Sequence, residues 1–160
     1  MKPSPKPTPA GPLPPTGGAR VFGHTADIGL AVRGETLGDL FLWAAVGLAR
    51  LALKTRAIPS QTTHAMSITL PPGPDPEALL VAWLNHLIYL LETEGLAAVG
   101  GRLEVGEAGE VGSGWILSGS LTVAQAPPHG VKTGVKAATY YGLKVERKQG
   151  LFRARIILDV

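Results

Sequence analysis

The sequence predicts an α+β fold in a single domain, with two amphipathic helices packed on a mixed, mostly antiparallel sheet built from hairpins. Two stretches, 35–53 and 77–95, carry apolar residues at helical spacing. Most of the remaining sequence shows strand-like alternation broken by glycine-rich turn signals. A length of 160 residues, 45% of them hydrophobic, suits one domain with one sizeable core.

The N-terminal segment 1–18 is dense in proline and lacks the apolar region of a signal peptide. Because proline removes backbone donors and interrupts helices and sheets, we expect a disordered tail at 1–18 and a folded domain at 19–160. No apolar run reaches the roughly 18 residues that span a bilayer. The chain has no cysteine, which excludes disulfides and thiolate sites. These features predict a cytoplasmic protein without a membrane partner.

In the first half of the chain, residues 28–33 are typical of a strand. Thr36 and Asp39 form a capping-box pattern at the start of the first helix. Gly38 and Gly47 within that helix either weaken it or allow close packing. Pro59 is expected to end this segment, and 64–70 is predicted to be a strand.

The second helix is expected to begin at Asp75, a good N-cap, followed by Pro76 in the first turn. Gly95 is a typical C-terminal stop. Residues 102–125 then predict one hairpin with a glycine-rich connection. Residues 135–160 predict a second hairpin that turns at Gln149-Gly150.

The net charge is +3, and its basic residues concentrate late in the chain. That pattern fits an RNA-binding or chaperone surface, an acidic partner, or simply a solvated strand face. Tryptophan, tyrosine and phenylalanine, three of each, do not form the alternating stacking platform of an RNA-binding sheet. The basic residues in question are Lys132, Lys136, Lys144, Arg147, Lys148, Arg153 and Arg155.

His24 and Asp27 lie three residues apart at the entrance to the first predicted strand. In one interpretation, His24 hydrogen-bonds the backbone and Asp27 closes a turn. In the other, the two residues belong to a metal or acid–base site. A metal-dependent hydrolase would use His24 as a general base, with Asp27 and Asp159 as ligands.

Asp159 is the only carboxylate side chain in the last predicted strand, and the terminal carboxylate of Val160 follows it directly. If this strand lies near Asp27, three carboxylates converge and repel one another unless a cation is bound. Oxygen ligands select hard ions, so Ca²⁺, Mg²⁺ or Mn²⁺ is the expected cofactor. Glu35 is a further candidate ligand, although capping also explains it. Lys136 is either a surface lysine or a partner for the carboxylates or a phosphate.

No enzyme motif is present in the sequence. The nucleophile elbow G-x-S-x-G and the dinucleotide fingerprint G-x-G-x-x-G are both absent. His86 has no ligand partner at helical spacing and is interpreted as structural. We therefore assign no catalytic residue.

Four motifs in order resemble the archease family. They are "HTADIGL" at 24–30 with "GETLGDLF" at 34–41, "DPEALLVAWLNHLIYLLETEG" at 75–95, "HGVKTGVKAATYYGLKVER" at 129–147 and the closing "ILDV" at 157–160. The resemblance extends from about Phe22 to Val160. It implies an α+β fold and a non-catalytic partner protein.

The resemblance also implies a partner, an RtcB-type RNA ligase that acts in tRNA splicing and RNA repair. Archeases promote guanylylation of the ligase histidine, which uses GTP and Mn²⁺, and allow repeated turnover. RNA and GTP are therefore indirect partners, reached through the ligase. The family's acidic metal-binding tip corresponds here to Asp27 and Asp159, and its lysine to Lys136.

Two positions depart from the family's pattern. Many members carry an acidic residue directly before the first-motif histidine, where this chain has Gly23, and some have aspartate in place of Glu35. Both departures bear on the affinity or ion preference of the expected site. Neither removes the pair formed by Asp27 and Asp159.

Overall fold

The computed structural model describes residues 13–24, 27–55, 63–110 and 112–160, except the side chains of His24 and Asp27. Within these ranges the chain forms two helices, α1 (Leu37–Leu53) and α2 (Pro76–Glu94). The strands are β1 (Gly18–His24), β2 (Asp27–Gly34), β3 (Thr63–Thr69), β4 (Leu96–Glu107), β5 (Trp115–Gln125), β6 (Ala137–Ala138), β7 (Glu146–Lys148) and β8 (Leu151–Asp159).

The strands form two sheets in which every described pairing is antiparallel. One sheet has the order β1-β2-β8-β6, with β7 also paired to β8, and is called here the five-stranded sheet. The other has the order β3-β5-β4. The predicted α+β class is confirmed, but the strands divide between two sheets rather than forming one. Strand pairing depends on contacts between distant segments, which local sequence patterns do not encode.

Helix α1 begins with the predicted cap, because the Asp39 N–H donates to the Thr36 hydroxyl at 3.0 Å. Its two glycines serve close packing, the second of the alternatives offered by the sequence. A Cβ at Gly38 would collide with the carbonyl of Leu103 on β4, and one at Gly47 would meet Ala19 of β1. The absence of these side chains lets α1 approach both sheets.

Helix α2 begins and ends where the sequence predicts. Asp75 accepts a hydrogen bond from the Ala78 N–H at 2.7 Å, and Gly95 ends the helix in the left-handed conformation. Trp83 is fully buried, and its indole N–H donates to the carbonyl of Phe41 at 3.0 Å. This bond joins α2 to α1 and satisfies the one polar group of a large core side chain.

Two predicted boundaries need correction, and one strand was not predicted. Strand β1 was not predicted, because its glycines and arginine hide the alternation; it starts at Gly18, inside the predicted tail. Leu13 packs against the core as well, so the folded part begins before residue 19, while residues 1–12 lie outside the described residues. The first hairpin begins at Leu96, six residues before the predicted 102. The expected stop at Pro59 also lies outside the described residues.

The second predicted hairpin is present but shorter than expected. Its turn lies at Gln149 and Gly150, which both have positive φ angles of 55° and 78°. Such angles match the type I′ turns that join paired strands. However, the pairing beyond the turn is interrupted, because β8 pairs with the three residues of β7 and, farther along, with the two residues of β6. No helix in the described ranges has the length and apolar character required to cross a bilayer.

Candidate functional site

The ends of β1, β2 and β8 meet at one end of the five-stranded sheet. Ile28 of β2 pairs with Leu158 of β8. Asp27 directly precedes Ile28 and Asp159 directly follows Leu158, so the same register, continued by one residue, places Asp27 across from Asp159. On the other side of β2, Asp27 pairs with His24 of β1.

Strand β6 extends this row beyond Asp159. Ala137 pairs with Asp159, and the Lys136 N–H donates to the Asp159 carbonyl at 2.7 Å. His24, Asp27 and Asp159 therefore lie across the sheet end, with Lys136 directly before Ala137, the residue paired with Asp159; these four residues are named the strand-end cluster. Asp159 and Lys136 are exposed, whereas the side chains of His24 and Asp27 lie outside the described residues.

A residue that the sequence analysis missed holds β6 in place. The Asn85 carboxamide oxygen, on α2, accepts a hydrogen bond from the Ala138 N–H at 2.9 Å. Thr139 adds two bonds to the carbonyl of Ile157, from its N–H at 3.0 Å and its hydroxyl at 2.9 Å. A polar residue placed between the apolar turns of α2 was the available signal for Asn85. It positions the segment that begins with Lys136.

Two other predicted candidates occupy different places. Val160 follows Asp159 directly, and its half-buried side chain packs against the core. Glu35 does not join the cluster and its prediction as a further ligand is corrected. It follows Gly34 at the opposite end of β2, and the seven-residue rise from Asp27 to Gly34 spans about 23 Å. An extended strand separates residues that are close in sequence.

Asp39 lies with Glu35 at that opposite end, near the start of α1. Partial burial raises the pKa of the Asp39 carboxyl above its ordinary value. A hydrogen bond with Thr36 acts in the opposite direction, and the negative charge of Glu35 raises the pKa further. All the groups that shift this pKa lie at the start of α1, so Asp39 belongs to the helix start and not to the strand-end cluster.

The expected metal site rests on the strand-end cluster. Among the side chains that the structure describes, no three His, Asp or Glu residues are grouped as metal ligands. Of the predicted ligands in the cluster, that set includes Asp159 but not Asp27 or His24. The donor chemistry fits a hard divalent ion, because two aspartates directly flank the terminal β2–β8 pair, Ile28 with Leu158.

A second feature lies on the outer face of the same sheet, which is the face turned away from α1. It is a groove of about 330 Å³, called here the basic groove. Its lining includes one carboxylate residue among those described, Glu146. The cationic residues of the lining are Arg20, Arg33, Lys144, Lys148, Arg153 and Arg155.

The histidine on α2 has a packing role. The ring of His86 stacks on Trp83 with centroids 6.3 Å apart. His64 lies on β3 of the other sheet and His129 in the segment before β6. Among the described residues, none of these three histidines belongs to a group that could hold a metal ion.

The chain belongs to the archease protein family, whose model matches residues 20–160. The match spans both sheets and both helices, and it includes the whole strand-end cluster.

Archaeal relatives align with this chain over nearly their full length, which supports the assignment. The chain is 33% identical over 141 residues to the protein archease of Archaeoglobus fulgidus, which covers 88% of this chain and 98% of the relative. It is 31% identical over 139 residues to the protein archease of Methanosarcina mazei, and this alignment covers 86% of this chain and 92% of the relative.

Two solved structures share the fold. The solution structure of protein 1598 from Methanobacterium thermoautotrophicum superposes with a TM-score of 0.65 at 26% identity, covering 89% of this chain and 99% of that one. The crystal structure of an archease from Thermotoga maritima, described as a possible chaperone, gives a TM-score of 0.53 at 20% identity, covering 86% and 93%. The second similarity bears on the fold alone.

Proposed function

We propose that this protein is an accessory activator of an RtcB-type RNA ligase in tRNA splicing and RNA repair. The observation that carries the proposal is that Asp27 and Asp159 directly flank the last β2–β8 pair, Ile28 with Leu158, while the Lys136 N–H bonds to the Asp159 carbonyl. The strand-end cluster would bind a divalent ion and enter the metal and nucleotide cleft of the ligase. The exposure of Asp159 and Lys136 supports such access.

Elementary electrostatics favours a cation at this position. Facing residues of an antiparallel pair have Cβ atoms about 4.5–5.5 Å apart, so two carboxylates there repel each other when no ion lies between them. Oxygen donors at that spacing suit Ca²⁺, Mn²⁺ or Mg²⁺. Lys136 would contact a phosphate or carboxylate of the complex.

The proposed role is not enzymatic. In the ligase, a histidine is guanylylated with GTP and Mn²⁺, and the accessory protein would help to arrange metal there or hold the reactive state of the ligase. We place this role in the cytoplasm, in keeping with a chain that has no cysteine.

The test is a reconstituted ligase reaction at limiting Mn²⁺, with and without this protein. Covalent ligase–GMP and ligated RNA per ligase are measured, and both should rise when the protein is present. No gain in either quantity overturns the proposal. Hydrolysis of a phosphodiester by this protein alone would instead identify a metal-dependent hydrolase.

A further inference from the structure

The basic groove contains two arginines in direct opposition. Arg33 of β2 pairs in register with Arg153 of β8. Like charges directly opposite one another on a sheet destabilise it. Among the described residues the side-chain ion pair is that of Lys144 with Glu146, at 3.7 Å between exposed groups, and it does not involve either arginine. Glu146 of β7 pairs with Arg153 on its other side, so this row keeps one net positive charge that is suited to an external anion.

The neighbouring row of the sheet continues the positive charge on both sides of a small residue. Arg20 of β1 and Arg155 of β8 both pair with Ala31 of β2, so they flank a small side chain. The Arg155 guanidinium lies 4.1 Å from the centre of the Phe22 ring. Stacking of this kind holds a guanidinium in place without using its hydrogen-bond donors.

Arg153 is also held in position. Its Nε donates to the Lys148 carbonyl oxygen at 3.4 Å, which ties the side chain to the neighbouring β7 segment. Two rows of arginines, about 7 Å apart along β8, therefore face one groove. A polyanion with repeated charges matches this arrangement better than a single small anion does.

Two exposed tyrosines come directly before Gly142, a residue that lines the basic groove. Tyr140 and Tyr141 are 62% and 79% exposed, values that are high for large aromatic side chains. Exposed aromatic rings beside a cationic groove are the combination that binds unpaired bases by stacking while the cations follow the phosphates.

From these observations we infer that the basic groove binds a single-stranded polynucleotide, with phosphates between the arginine rows and bases on the tyrosines. An acidic protein surface would use the cations, whereas stacking on exposed tyrosines next to a cationic groove favours unpaired bases. The site is separate from the strand-end cluster, because Asp159 lies four residues, or about 13 Å, along β8 from Arg155. The inference is therefore independent of the proposed ligase activation.

The test measures fluorescence anisotropy of a labelled 12-nucleotide single-stranded RNA with the full chain at several salt concentrations. The double variant Arg33→Gln/Arg153→Gln should bind at least about tenfold more weakly, and its log–log salt slope should fall by about 1.4. The control Arg102→Gln/Lys132→Gln removes the same charge from exposed residues outside the groove and should leave binding within about twofold.

Variants of Tyr141 distinguish a polymer with unpaired bases from other polyanions. Tyr141→Ala should weaken binding at least about fivefold and Tyr141→Phe should restore it, because stacking needs the ring and not the hydroxyl. Single-stranded DNA of the same sequence shows whether the ribose contributes, and measurable binding of either strand supports the inference. Equal binding of a duplex or of polyglutamate, unaffected by Tyr141→Ala, overturns it. So does RNA binding that the Arg33/Arg153 double variant leaves unchanged.

Discussion

The Lys136 main chain is bonded to the Asp159 main chain, with the N–H of one donating to the carbonyl of the other at 2.7 Å. Because this bond uses no side-chain atom, the position of the Lys136 backbone beside Asp159 does not depend on the lysine charge. The charge can therefore be removed while the strand-end cluster keeps its backbone geometry. This separation allows a functional role of the side chain to be tested without loss of structure.

Lys136→Ala should abolish most of the gain in ligase guanylylation while the melting temperature changes little. The side chain is exposed, and exposed substitutions usually alter the free energy of unfolding by no more than about 0.5 kcal/mol. Lys132→Ala is a matched control, since Lys132 is also exposed and its N–H also donates a 2.7 Å main-chain bond, to Ala52. Equal ligase activation by the two variants would show that the Lys136 side chain has no specific role in activation.

Asp159→Asn and Asp27→Asn should each weaken Mn²⁺ binding about tenfold or more. A unit charge at about 4 Å contributes roughly 1–4 kcal/mol between bulk-water and surface dielectric values, and each substitution removes one such charge from the ion. Isothermal titration calorimetry measures the affinity, and the reconstituted ligase reaction measures the consequence. Glu35→Gln removes a carboxylate from the far end of β2 and should change neither quantity.

Asn85 should affect the strand-end cluster from a different element. Asn85→Ala leaves the N–H of buried Ala138 without its partner at 2.9 Å, which costs about 1–3 kcal/mol of unfolding free energy. Since β6 carries Lys136 to Asp159, ligase activation should fall as well. Urea unfolding measures the first effect and guanylylation the second. Asn85→Asp retains an acceptor oxygen and should recover part of the stability and part of the ligase activation. A variant that loses stability but activates the ligase normally would show that the position of β6 is not needed for function.

The parts of the fold that depend on local chemistry were predicted from the sequence. Thr36 and Asp75 cap their helices through bonds to residues three positions along, which a linear sequence displays directly. The proximity of Asp27 and Asp159 could be predicted only on the condition that β8 pairs with β2. These strands are more than a hundred residues apart in the sequence. Glu35 shows the converse error: proximity in sequence suggested a shared site, whereas an extended strand carries it away from Asp27. Asn85 was missed since its partner is 53 residues distant.

Arg33→Gln should stabilise the fold while weakening polynucleotide binding. Removal of one charge from the opposed Arg33 and Arg153 pair relieves a repulsion of about 0.2–1 kcal/mol. Urea unfolding at low ionic strength should show the gain, and added salt should reduce it, because screening weakens the repulsion. A destabilised Arg33→Gln variant would mean that the two guanidinium groups are not in effective repulsion.

The stability of the fold should carry a pH signature from Asp39. Burial raises its pKa in the folded state, so between the ordinary carboxyl value of about 3.9 and that raised pKa the folded state holds a proton that the unfolded state has lost. Asp39 therefore reduces stability as pH rises through this window, and its contribution is constant above it. Urea unfolding of the wild type and Asp39→Asn from pH 3.5 to 7 should show the wild type losing stability relative to the variant. Glu35→Gln should narrow the window by removing a charge that raises the pKa of Asp39, and a stability difference that is independent of pH would contradict the assignment.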